Sequence, residues 1–184
     1  MQCSNYRIRK VKPEEFSRLG QLTVDVYASL PGMPKVDEQP DYYGMLRDVA
    51  TRVGRSAISV FAAVSDSGEL RGSVDFIADM KQYGSGGTAS TIANAAGIRL
   101  LAVTPECRGQ GIGKALTQFC IEQARELGKA KVILHSTKAM ATAWTMYERM
   151  GFERLAEIDF KQGNLDVFGF RLNLETGLNK DDTR

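Results

Sequence analysis

Residues Thr104 to Ala115 read TPECRGQGIGKA. Bare backbone and positive charge stand together here, as in loops that hold phosphates. The dinucleotide fingerprint G-x-G-x-x-G fails in both registers: its last glycine would be Lys114 counted from Gly109, or Leu116 counted from Gly111. The Walker pattern G-x-x-x-x-G-K-[ST] fails at both ends, because Arg108 stands at the first glycine and Ala115 at the final hydroxyl. The text that fits is R-x-x-G-x-G, as Arg108, Gly111 and Gly113, with Lys114 next. A helix start leaves about four N–H groups without partners and carries roughly half a positive charge. Glycines let a diphosphate come close to that backbone, and Arg108 and Lys114 add charge. A glycine-rich turn that only joins a strand to a helix is the alternative reading.

Other residues capable of chemistry are few. His135 is the sole histidine, so a His-rich metal site is excluded, and no carboxylate cluster suggests a metal. An unperturbed imidazole titrates near neutrality, which makes His135 a candidate proton acceptor. Strand alternation sends Leu134 and Ser136 one way and His135 the other. It faces a cleft or packs as an ordinary structural histidine. Asp75 and Glu106 are rival bases. Cys3, Cys107 and Cys120 are an odd set without metal spacing, and they read as reduced thiols of a cytoplasmic protein. Cys107 has no evident activating histidine, so a nucleophilic role is disfavoured. Trp144 reads as packing.

The elements that must position these groups follow from periodicity. Tyr6 to Val11 alternates as a strand. Pro13 opens a helix with Phe16, Leu19, Leu22 and Val26 on one stripe. PGMPKVDEQP is a loop, and DYYGMLRDVATRV is one short helix capped by Asp41. Ala57 to Val64 and Leu70 to Ala78 form a hairpin across SDSGE. DMKQYGSGGTASTIANAAG is small and polar, a surface loop of the length that often serves function. Ile98 to Val103 is apolar on both faces, as in a central strand. After the opening stretch, Ile112, Leu116, Phe119, Cys120, Ala124 and Leu127 mark a helix that Gly128 stops. Lys131 to Ser136 is a strand, and KAMATAWTMYERM a helix ended by Gly151. FERLAEIDF and LDVFGFRLNL are closing strands joined by KQGN. The order implies a mixed sheet with helices on its faces. Residues 1–178 read as one domain and 179–184 as a disordered tail.

LLAVTPECRGQGIGKAL and ATAWTMYERMGFE, in that order with one strand between, resemble the acetyl-CoA motif and the later A-x-x-x-Y-x-x-x-G-F motif of the GCN5-related N-acetyltransferase superfamily. The resemblance is close over Ile98 to Glu153 and looser before it. It implies a mixed, mostly antiparallel central sheet of about seven strands flanked by about four helices. It implies acetyl-CoA as co-substrate, lying where the strand ending at Val103 splays from the strand Val132 to Ser136. The pantetheine arm would lie along Leu101, Ala102 and Val103, with the Val103 N–H polarising the thioester carbonyl. The diphosphate would rest on backbone N–H groups of Arg108, Gly109, Gln110, Gly111, Ile112, Gly113 and Lys114. Tyr147 takes the superfamily's usual general-acid position. Two departures stand out: Gly97 where some members carry a basic glutamate, and Met140 where an asparagine is frequent. The catalytic candidates are therefore Tyr147, His135 and Asp75, or a solvent relay without a dedicated base.

Direct transfer of acetyl to a primary amine of a small molecule is the activity this resemblance implies, with a protein N-terminus or lysine as the second acceptor. A non-catalytic acyl-CoA-binding module is the reading from another class. Asp37, Glu38, Asp41 and Asp79, with Tyr42, Tyr43 and Tyr83, suit a cationic acceptor or are ordinary solvated loop residues. A net charge of +2 over 184 residues discourages nucleic-acid binding. No apolar run suggests a membrane span, and the first residues lack the apolar stretch of a signal peptide. An open sheet edge in the closing strands is compatible with a homodimer.

Overall fold

A computed structural model describes residues 3 and 5–174; the tail expected over 179–184 lies outside them. Eight strands form one sheet: β1 (Tyr6–Lys10), β2 (Ile58–Ser65), β3 (Leu70–Ile77), β4 (Ala95–Val103), β5 (Lys131–Ser136), β6 (Glu153–Arg154), β7 (Phe160–Gln162) and β8 (Leu165–Asn173). The order is β1-β2-β3-β4-β5-β8-β6, with β7 also paired to β8. Only β4 and β5 run parallel; every other pair is antiparallel. The expected mixed, mostly antiparallel sheet is what forms.

Among the described residues five α-helices flank it: α1 (Phe16–Ala28), α2 (Pro40–Arg47), α3 (Val49–Val53), α4 (Ile112–Glu126) and α5 (Ala141–Arg149). On one face α4 buries Ile112, Leu116, Cys120 and Ala124 against Phe61, Val74, Ile98 and Leu134. On the other, Leu19 and Val49 pack with Val60, Ile77, Tyr83 and Ile133. Arg9 grips Glu15 through two hydrogen bonds of 2.8 and 2.7 Å and so ties β1 to the start of α1. That pairing, outweighing burial, holds the Glu15 carboxyl down at about 2.

Three sequence expectations change. The single helix expected over DYYGMLRDVATRV breaks at Asp48, whose carboxylate accepts the Thr51 N–H at 3.0 Å and starts α3. The N-cap of α2 is Gln39 rather than Asp41, because Pro40 takes the first helical position. FERLAEIDF is not one strand: it gives β6, a helical turn over Ala156–Ile158, and the first residue of β7. Between them β6 and β7 cover the outer side of β8, so β8 is not an open edge.

The cysteines are the fourth correction. Cys3 and Cys107 form a disulfide with their Cα atoms 5.6 Å apart, and only Cys120, buried, is a free thiol among the described residues. The expectation of three reduced thiols failed because a sequence separation of 104 carries no local signature.

Candidate active site

The site begins with an interruption in β4. Ser73 pairs with Ala102 and Asp75 with Arg99, so Leu100 and Leu101 both stand opposite Val74. Leu100 takes up the extra residue with a φ of 54°, a left-handed conformation that costs a leucine about 1–2 kcal/mol. Such bulges bend a strand away from its neighbour. Pairing of β4 with β5 accordingly ends at Ile98–Leu134, and the strands separate beyond it. The Thr104 N–H bonds to Arg71 O on the β3 side. By alternation the Val103 N–H faces the open side, where the Tyr27 hydroxyl meets Leu101 O at 3.4 Å. Ala102, by contrast, pairs toward β3.

The cleft leads to the glycine-rich turn. Gly109 and Gly111 have φ values of 73° and 83°, and Gly111 is the N-cap of α4. A side chain at either would be left-handed, whereas the space above both is open. The first intrahelical bond runs from the Ala115 N–H to Gly111 O, which leaves the Ile112, Gly113 and Lys114 N–H groups ahead of it. Ile112 is buried and anchors the turn; Arg108 and Lys114 are exposed and form no ion pair among the described residues. Gln110 turns back instead, accepting the Cys3 N–H at 2.6 Å and donating to Glu106 O at 3.0 Å.

A cavity of about 180 Å³ opens beside the cleft, with Tyr27, Tyr42, Tyr83, Arg99, Leu100 and His135 among its walls. His135 faces it from β5. The Tyr83 hydroxyl lies 3.0 Å from His135 Nδ1, and Nε2 lies 2.9 Å from Ile158 O. A carbonyl only accepts, so Nε2 carries the proton and Nδ1 accepts from Tyr83 O–H. Burial, the largest influence, pushes the His135 pKa below its usual 6.5, and Arg99 acts in the same direction. The imidazole is therefore neutral at pH 7. The Tyr83 ring packs on Gly97, where a Cβ would fall 2.5 Å from the ring.

Tyr147 comes from α5 and is buried against Phe152. Burial raises its pKa, with Tyr83 and Cys120 adding to the effect, so the phenol keeps its proton. Asp75 is not brought to the cavity. Its carboxylate accepts from Arg52 Nε at 2.8 Å in the interior, and burial outweighs the arginines to raise its pKa. Glu106 is exposed and does not line the cavity. None of Asp37, Glu38, Asp41 and Asp79 lines the cavity; of the tyrosines expected there, Tyr42 and Tyr83 do and Tyr43 does not. No group of metal-ligating side chains occurs among the described residues. Trp144 packs edge-on to Phe168 and Phe170, as expected.

The sequence model of the Acetyltransferase (GNAT) family matches residues 24–152, a stretch holding the turn, the cleft, Tyr83, His135 and Tyr147. The chain belongs to this family. A mouse protein called probable N-acetyltransferase family 8 member 5 is 43% identical over 54 residues, which are 29% of this chain and 24% of that one. The match thus spans about a quarter of that relative's length. Among solved structures, a GNAT-family acetyltransferase from Staphylococcus aureus MU50 superposes with a TM-score of 0.70 at 16% identity, covering 92% of this chain and 99% of that one. The PaiA N-acetyltransferase of Thermoplasma acidophilum, solved with coenzyme A, gives a TM-score of 0.67 at 17% identity, covering 90% and 98%.

Within this GNAT frame, sequence reasoning named Tyr83 only as an aromatic suited to a cationic acceptor, and it missed the Tyr83 pairing with His135, Arg99 and the Leu100 bulge. One signal was available: Arg99 is a lone charge inside the apolar run IRLLAV, which a buried strand admits only for a reason.

Proposed function

We propose that the protein is an acetyl-CoA-dependent N-acetyltransferase that acts on the primary amine of a small molecule by direct transfer. The observation that carries this reading is the continuity of the cleft: the unpaired side of β4 at Leu101 and Val103 runs straight into the open glycine turn at the N-terminus of α4. That surface suits an extended amide-bearing arm ending in a diphosphate. Acetyl-CoA supplies the activated acetyl thioester; the chain supplies position and protons. The Val103 N–H is directed at the carbonyl oxygen on which charge develops. The Tyr83 oxygen takes a proton from the amine as its own passes to His135 Nδ1, and the Nε2–H on Ile158 O steadies the imidazolium. The Tyr147 hydroxyl protonates the departing thiolate. A phenol near pKa 10 and a thiol near 8.5 make that transfer uphill by about 1.5 units in water. Burial raises the Tyr147 phenol further, so the transfer requires the same desolvation to act on the departing thiolate.

The small acceptor is supported by a cavity of about 180 Å³, which suits a molecule of few heavy atoms. The test is a screen of primary amines with acetyl-CoA, read by thiol release. Tyr147→Phe should bind coenzyme A as before and lose turnover. Turnover unchanged in that variant would remove Tyr147 from the mechanism.

A further inference from the structure

The cavity has the wrong charge for a simple cationic amine. Arg99 lines it, half-buried, with no ion-pair partner among the described residues. Its Nη1 donates to Tyr83 O at 2.7 Å, and its guanidinium carbon lies 5.6 Å from the Tyr83 ring centre. A second guanidinium, Arg55, converges on the same point: a Cβ on Gly84 would be 3.2 Å from Arg99 Nη1 and 3.5 Å from Arg55 Nη1. The two nearby carboxylates are already engaged, Asp75 by Arg52 and Asp159 by Arg154. No carboxylate lines the cavity. Positive charge therefore exceeds negative in a partly desolvated place, an arrangement that is costly unless something anionic answers it.

Resting on the acetyltransferase reading above, we infer that the acceptor is a free amino acid with an apolar or thioether side chain, its carboxylate held by Arg99 and its amine delivered to Tyr83. The Tyr83 residue fixes the spacing. Arg99 is held at its backbone and ring face, and its hydroxyl marks the proton relay, so carboxylate and amine must lie within the length of one tyrosine. An α-amino acid, with its amine and carboxylate on one carbon, falls inside that limit. A guanidinium matches a carboxylate in a planar, two-point manner that no other side chain offers. Among the remaining walls Met33, Met45, Met140 and Val167 belong to an apolar majority over Ser136, Thr137 and Gln162, which suits an apolar or sulfur-bearing side chain.

The experiment compares L-methionine, L-methioninamide and 3-(methylthio)propylamine with acetyl-CoA, and repeats the series with phenylalanine, its amide and phenethylamine. The wild-type kcat/KM should favour the free acid over its amide by about tenfold or more, as for a charge-assisted contact. In Arg99→Gln that ratio should fall to about one, whatever the variant's absolute rate. Equal or better turnover of the amides and plain amines by the wild-type enzyme overturns this inference and leaves the acetyltransferase intact. A peptide N-terminus acetylated faster than any free amino acid overturns it too. No thiol release with any amine, while coenzyme A still binds, overturns the acetyltransferase reading and this one with it.

Discussion

In the proposed mechanism Tyr83, His135 and Tyr147 divide the proton work, and their environments would set the direction of each transfer. His135 is driven below 6.5 by burial, so its neutral form exists above that lower value and is lost as pH falls through it. In kcat/KM against pH, an acid-side limb should appear with an apparent pKa below 6.5, the same for amines of different basicity. His135→Gln should abolish it and lower the rate about a hundredfold, within the range of a lost general base. Persistence of the limb in that variant would assign it to another group. Tyr147, pushed upward by burial, should contribute no limb below pH 10, and Tyr147→Phe should reduce kcat by about a hundredfold with the acetyl-CoA affinity kept. Gly97 supplies a further check on the Tyr83 relay. A methyl at that position would fall 2.5 Å from the Tyr83 ring, so Gly97→Ala should fold, push the ring off His135 and lower kcat about tenfold or more. In the sequence His135 stood out as the sole histidine, and Tyr147 through the resemblance to the A-x-x-x-Y-x-x-x-G-F motif. Tyr83 was not visible as a partner, since its pairing with His135 spans 52 residues and depends on the course of a loop.

At the scale of elements, the strand–turn–helix of β4 and α4 is the proposed cofactor cradle. Its helix was legible because apolar residues repeat every three or four positions from Ile112 and Gly128 ends the run at a φ of 66°. The bulge at Leu100 was not, because nothing local marks a leucine for a left-handed φ; the sheet around it imposes the conformation. The break at Asp48 and the division of FERLAEIDF escaped for a similar reason: a cap and a short strand are decided by what they pack against. The turn itself yields a sharp prediction. Gly111 is left-handed at the N-cap of α4 with open space around it, so alanine there meets no clash and pays only conformational strain of about 1 kcal/mol. Gly111→Ala should move Tm by only a few degrees. Because the methyl and any relaxation of the turn intrude where the diphosphate approaches, calorimetric titration should show coenzyme A binding weakened by about tenfold or more. Dephosphorylated fragments of the cofactor that lack the diphosphate should lose the difference between variant and parent.

Across the whole molecule, one covalent link joins the first described residue to the loop that the site depends on. The Cys3–Cys107 disulfide closes a separation of 104 residues, and the Cys3 N–H adds a 2.6 Å hydrogen bond to Gln110 inside the glycine turn. Arg71 Nη1 lies 3.4 Å and 3.6 Å from the two sulfurs, so the link is packed into β3 as well. Closing a loop of this length restricts the unfolded chain by about 4.7 kcal/mol in the chain-entropy model, and removing a native disulfide typically costs about 2–5 kcal/mol. For a chain of this size each kcal/mol moves Tm by about 2–4 °C. Treatment with a dithiol reductant under conditions that open the pair should therefore lower Tm by about 5–15 °C, and the Cys3→Ser/Cys107→Ser double variant should melt at the lower value with or without reductant. Because the link ends immediately before Arg108, its loss should also loosen the turn and weaken coenzyme A binding in the same titration, while the Tyr83–His135 contact across the sheet is untouched. Identical melting of oxidised and reduced protein would show that the pair contributes nothing to the fold, and unchanged coenzyme A affinity in the double variant would separate the tether from the site.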